Sequence, residues 1–137
     1  MNSPVYKSKG TLQYSPQSIG ASEKWWLILY CDAQLGAYYR RLYEYEHRRC
    51  RKLQTPGWKD HVSVVRNEEP DDQYKPLWNK YDGLEVEFEY EAIVRDNDIY
   101  FWLEVTCDFL LDLREELGLP RNPEFDLHLT VGNNVNL

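Results

Sequence analysis

A chain of 137 residues with 42% apolar and 15% aromatic content can bury one sizeable core and is too hydrophobic to remain disordered. Its net charge of −7 argues against binding along a long polyanion such as double-stranded DNA. No window approaches the ~20 apolar residues of a membrane helix, and the opening MNSPVYK has no apolar signal-peptide run.

In chain order, Gly10 to Pro16 alternates enough to form a short strand, and Gln17 to Glu23 reads as loop. Lys24 to Cys31 is an apolar, aromatic run expected to be a strand buried on both faces. Asp32 is placed to cap a helix whose stripe runs through Leu35, Tyr38, Tyr39, Leu42 and Tyr45 or Glu46. Six basic residues fall between Arg40 and Lys52 against Glu44 and Glu46, which makes either a solvated helix face or a local funnel for a small anion. Thr55-Pro56-Gly57 breaks the chain before the strand His61-Val62-Ser63-Val64.

Asn67 to Asp82, polar and with two prolines, is expected to be a long loop. Leu84, Val86, Phe88 and Tyr90 alternate with glutamates, the pattern of a half-exposed strand. Asp96-Asn97-Asp98 supplies a turn, and Ile99 to Thr106 returns as the second arm of a hairpin. Asp108 can cap or charge the start of a helix carrying Leu110, Leu113 and Leu117, which Gly118 and Pro120 stop. After Pro123 comes a second strand, His128-Leu129-Thr130-Val131. Cys31, Cys50 and Cys107 make an odd count without CxxC spacing, so a reduced, cytoplasmic setting is expected.

Both halves thus read as apolar strand, helix, breaker and His-x-hydroxyl strand. This layout predicts one α+β domain over 1–137, with two β-α-β lobes at roughly 10–66 and 83–133 whose sheets face across a central cleft. On a strand, residues i and i+2 share a face, so His61 lies beside Ser63 and His128 beside Thr130. A lone histidine on an apolar strand is ordinarily structural; two in the same frame point to a shared site. The spare donors and the HxH or HxxxH spacing of a metal centre are missing, so no metal and no cofactor is expected. Asp126, on the same face as His128, is a candidate supporting residue.

The two tetrads resemble the paired His-x-Ser/Thr-x motifs of the 2H phosphoesterase superfamily, and Phe-Asp-Leu-His-Leu-Thr-Val-Gly is similar to its second motif. The Lys-Trp-Trp-Leu-Ile-Leu-Tyr-Cys-Asp strand and the Tyr-Tyr-Arg-Arg helix are most similar to small phage anti-CBASS nucleases, which cleave cyclic oligonucleotide messengers of bacterial antiphage defence. The resemblance implies a host-cytoplasmic phosphodiesterase that acts without metal on a small cyclic oligonucleotide and has no membrane partner. His61 and His128 would be general base and general acid in an order the near-equivalent tetrads leave open, and Ser63 and Thr130 would donate to phosphate oxygens. Trp78, in the polar linker, and Tyr14, on the first strand, are candidate base-stacking residues, with Trp58 open to either a core or a ligand role. Arg66 and Lys75 are possible phosphate contacts, with a solvated-surface role as the ordinary reading. The alternatives are a 2′,3′-cyclic phosphodiesterase acting on RNA ends, or a non-catalytic domain that binds cyclic nucleotides. A lid formed by the tail after Gly132 is left open.

Overall fold

The computed structural model describes residues 4–16, 25–47, 53–56 and 59–134. Among them are seven strands: β1 Val5–Tyr14, β2 Trp26–Cys31, β3 His61–Arg66, β4 Glu85–Glu91, β5 Arg95–Asp96, β6 Tyr100–Thr106 and β7 His128–Asn133. Two α-helices are described, α1 Ala33–Glu46 and α2 Asp108–Glu116. All strand pairings are antiparallel, in the order β4-β1-β2-β3-β7-β6-β5, and a further β4–β6 pairing closes six strands into a barrel. The expected bilobal α+β architecture is therefore incorrect. β3 of the first half pairs with β7 of the second, β1 pairs with β4, and the two halves form one ring of strands with no facing sheets. The reason is that an isolated three-strand lobe would leave open edges, which closure removes.

Pairing fixes which faces line the core. Leu12, Leu29, Val62, Leu129 and Leu103 stand opposite one another in register across five successive strands, and Tyr90 of β4 stands opposite Val105 of β6. All seven belong, with Val86, Phe88 and Phe101, to one continuous core. The alternate face carries Lys7, Lys9, Glu85, Glu87 and Glu89, all exposed, so it is the outer face of the barrel. The expected alternation in β4 is seen: Val86, Phe88 and Tyr90 are buried and the glutamates between them face out.

Asp32 caps α1 by accepting from the Gln34 amide at 2.8 Å. The buried stripe of α1 is Gly36, Tyr39 and Tyr43, one step round from the expected one, and Tyr38 and Tyr45 are exposed. Gly36 sets this phase: its amide donates to Asp60 Oδ2 at 2.8 Å, and a Cβ there would lie 2.5 Å from that oxygen. Leu110 and Leu113 of α2 and its C-cap Leu117 are buried as expected; Cys107 is the N-cap residue, and Asp108 charges the first turn. Gly118, at φ 74°, ends the helix in the left-handed region.

The linker 67–82 is folded down by a short 3-10 turn, Lys75–Leu77, and by Arg114. That guanidinium, 1% exposed, donates to both carboxylate oxygens of Glu68, at 2.8 and 2.9 Å, and to the Val64 and Pro120 carbonyls. Its donors hold the Glu68 carboxyl below the usual carboxylate range. No helix among the described residues is long and apolar enough to cross a membrane.

Candidate functional site

Antiparallel pairing of Val62 with Leu129 puts His61 next to Thr130 and Ser63 next to His128 on adjacent strands. Val62 and Leu129 are fully buried, so the four polar side chains between them share the outer face, each half-buried. The structure thus brings all four tetrad residues into one patch. The two histidines are diagonal neighbours, a relation that separates backbones by about 7–8 Å. The patch lies on the outside of a single curved sheet and is not a cleft between lobes.

Each histidine is held in the same way. Nδ1 of His61 donates to the Lys59 carbonyl at 2.7 Å, and Nδ1 of His128 donates to the Asp126 carbonyl at 2.7 Å. A carbonyl only accepts, so in each neutral ring the proton sits on Nδ1 and Nε2 is the basic nitrogen. Asp126 therefore supports His128 through its backbone oxygen, two residues upstream. Asp60, the neighbour of His61, is tied down on two sides: its carboxylate accepts from Gly36, and its carbonyl accepts from the Cys31 amide at 2.9 Å.

A second symmetry lies just beyond the hydroxyl residues. The β2–β3 register steps from Ser63 to Val65, and the β6–β7 register from Thr130 to Gly132, so Val64 and Val131 are the extra residues of two β-bulges. A bulge leaves its extra residue out of the ladder. Arg114 of α2 donates to the Val64 carbonyl at 2.8 Å, and Arg40 of α1 donates to the Val131 carbonyl at 3.0 Å. Each helix thus pins the His strand of the other half, three residues after the histidine. Sequence reasoning missed both arginines as site supports; their only signal was an Arg on each helix.

The two rings have different neighbours. Burial pushes the His61 pKa down, and the nearby charges of His128 and Arg66 push the same way against the Lys59 carbonyl. His128 stands across from Glu104 in the β6–β7 register. It also opens onto a pocket of about 720 Å³ whose walls include Thr130, Trp102, Tyr100, Phe125 and Arg66. Among the described residues, no group of three His, Cys, Asp or Glu side chains could hold a metal ion.

The two expected stacking residues lie elsewhere. Tyr14 is 6% exposed, on the core side of β1, and burial pushes its hydroxyl up to about 12. Trp78 is edge-on to Tyr14 at 4.9 Å and to Trp25 at 5.0 Å, and its indole N–H donates to Ser15 Oγ at 3.1 Å. Neither lines the pocket; the tryptophan of the polar linker anchors that linker to the barrel. Lys75 pairs with Asp72 and Glu69, away from the tetrads. Arg66 does reach the pocket, over the rings of Phe125 and Trp26. Trp58 and the final residues 135–137, the end of the tail whose role as a lid was left open, lie outside the described residues; Asn134, before them, donates its amide to the Ile99 carbonyl at 2.9 Å.

Comparison with family models, with curated proteins and with solved structures returns no match to this chain.

Proposed function

We propose that this protein is a metal-independent phosphodiesterase that opens 3′–5′ linkages of small cyclic oligoribonucleotides, as part of phage counter-defence. The supporting observation is the Val62–Leu129 pairing, which joins two imidazoles and two hydroxyls in one outward patch. The choice of cyclic messengers as substrate rests on the likeness of the tetrads to the 2H phosphoesterases.

In this reading His61 is the base. Its environment favours the neutral ring, and with Nδ1 donating to a carbonyl the proton is taken at Nε2. It removes the 2′-hydroxyl proton, and that oxygen attacks its own 3′-phosphorus. Thr130 and Ser63 hydroxyls donate to the nonbridging oxygens as negative charge builds there. His128 delivers a proton to the departing 5′-oxygen. The products are a 2′,3′-cyclic phosphate end and a 5′-hydroxyl end.

Purified protein incubated with cyclic di- and trinucleotides, with and without EDTA, tests this by chromatography. Cleavage should survive the chelator and stop when the attacking 2′-hydroxyl is replaced by hydrogen. Brisk turnover of the deoxy analogue would exclude internal attack, and loss of activity in EDTA would overturn the metal-free site. Turnover confined to nucleoside 2′,3′-cyclic phosphates would move the substrate to RNA ends.

A further inference from the structure

Resting on the phosphodiesterase reading, we infer that the pocket beside His128 is a nucleobase subsite that selects guanine on the 5′-oxygen side of the cleaved bond. Its volume of about 720 Å³ lies within the range of small-ligand sites. Trp102, Tyr100 and Phe125 line it, and the last two are 48% and 56% exposed. Exposed aromatic rings gathered around a cavity offer stacking faces for a planar base.

Charge decides which part of a nucleotide enters. Three carboxylates, Glu104, Glu124 and Asp126, line the pocket against one guanidinium, Arg66. A phosphate would be repelled there, whereas an uncharged base would not. Arg66, the one guanidinium among the lining residues, stands over the Phe125 ring at 5.3 Å, at the end of β3 opposite His61. The phosphate therefore stays on the tetrads and the base points away from them into the cavity.

The same carboxylates set the base. Glu104 already accepts from the Trp102 indole N–H at 3.2 Å and faces Arg95 at 3.9 Å. Glu124 and Asp126 flank Phe125 directly in the chain, on the segment leading into β7. A base that enters among Tyr100, Trp102 and Phe125 shares the pocket with these carboxylate acceptors. Guanine presents two neighbouring N–H donors, N1 and the 2-amino group, that match a carboxylate; uracil presents carbonyl oxygens on both sides of its single N–H and is repelled. Because His128 protonates the 5′-oxygen, the nucleoside beside it is the one leaving through that oxygen, so the fitting fragment is a guanosine 5′-phosphate.

Calorimetric titration of the full chain with guanosine 5′-monophosphate and with uridine 5′-monophosphate tests the subsite without turnover. The guanine nucleotide should bind at least about tenfold tighter, the factor that corresponds to one good directional contact. Phe125→Ala, at an exposed position, should weaken guanine binding roughly 5- to 150-fold with an unchanged circular dichroism spectrum. Glu124→Gln with Asp126→Asn should erase the preference while retaining stacking. Equal binding of the two nucleotides by the wild type, or unchanged binding by folded Phe125→Ala, overturns the inference. Guanine-selective binding without cleavage of any cyclic dinucleotide would support the subsite and sink the catalytic reading; cleavage without base preference would do the reverse.

Discussion

Removing the Glu68 carboxylate, as in Glu68→Ala, should strip the Arg114 guanidinium of two of its four acceptors while it remains 1% exposed. Breaking a fully buried pair costs about 3–5 kcal/mol because it strands a charge. Here Glu68 is 31% exposed and two carbonyls still accept, so a loss of ~2–4 kcal/mol is expected. Arg114→Met strands less charge, since the remaining carboxylate can reach water, but it leaves the Val64 and Pro120 carbonyls without their donor. The double variant should therefore cost less than the two single variants together, with a coupling of about 1–3 kcal/mol. Urea unfolding followed by tryptophan fluorescence reads this directly: the midpoint for Glu68→Ala should fall by roughly 1–2 M. The pair also predicts a pH window. The folded-state pKa of Glu68 is depressed, so its contribution is full above the usual carboxyl value of 4.5 and is lost as pH falls through the lower folded value. A shift under ~0.5 kcal/mol for Glu68→Ala, or strictly additive single variants, would refute the view that this pair holds β3.

Three further outcomes are expected. His61→Ala and His128→Ala should each reduce cleavage of cyclic oligonucleotides by ~10²–10⁴-fold with the fold intact by circular dichroism; unfolding of both would make the rings structural. The pH–rate profile should be a bell whose acidic limb falls below 6.5, because His61 must lose its proton to act and its pKa is lowered; a limb above 6.5 would reassign the base. Gly36→Ala should destabilise by about 1–3 kcal/mol, since the added Cβ would have to displace the Asp60 carboxylate that anchors the start of β3; a neutral result in thermal unfolding would show that Asp60 yields freely.

The amino-acid order by itself determined the local elements. Period-two alternation marks β4, Asp32 caps α1, and the leucines of α2 fall on its buried side. It also marked the two tetrads, because a histidine and a hydroxyl two residues apart on a strand must share a face. The neighbours of the tetrads were decided by pairings across long chain separations, where closure of the ring puts β3 beside β7 and joins the halves the sequence suggested were separate. The aromatic residues show the same limit: Trp78, in polar surroundings in the chain, packs on Tyr14, while Phe125 comes to line the pocket. Likewise, nothing in the spacing of Arg40 and Arg114 tells that each reaches the bulge carbonyl of the other half's strand. Periodicity and capping act within a few residues and are written in the chain, whereas burial and long-range hydrogen bonds depend on which elements meet, and only the closed barrel sets that.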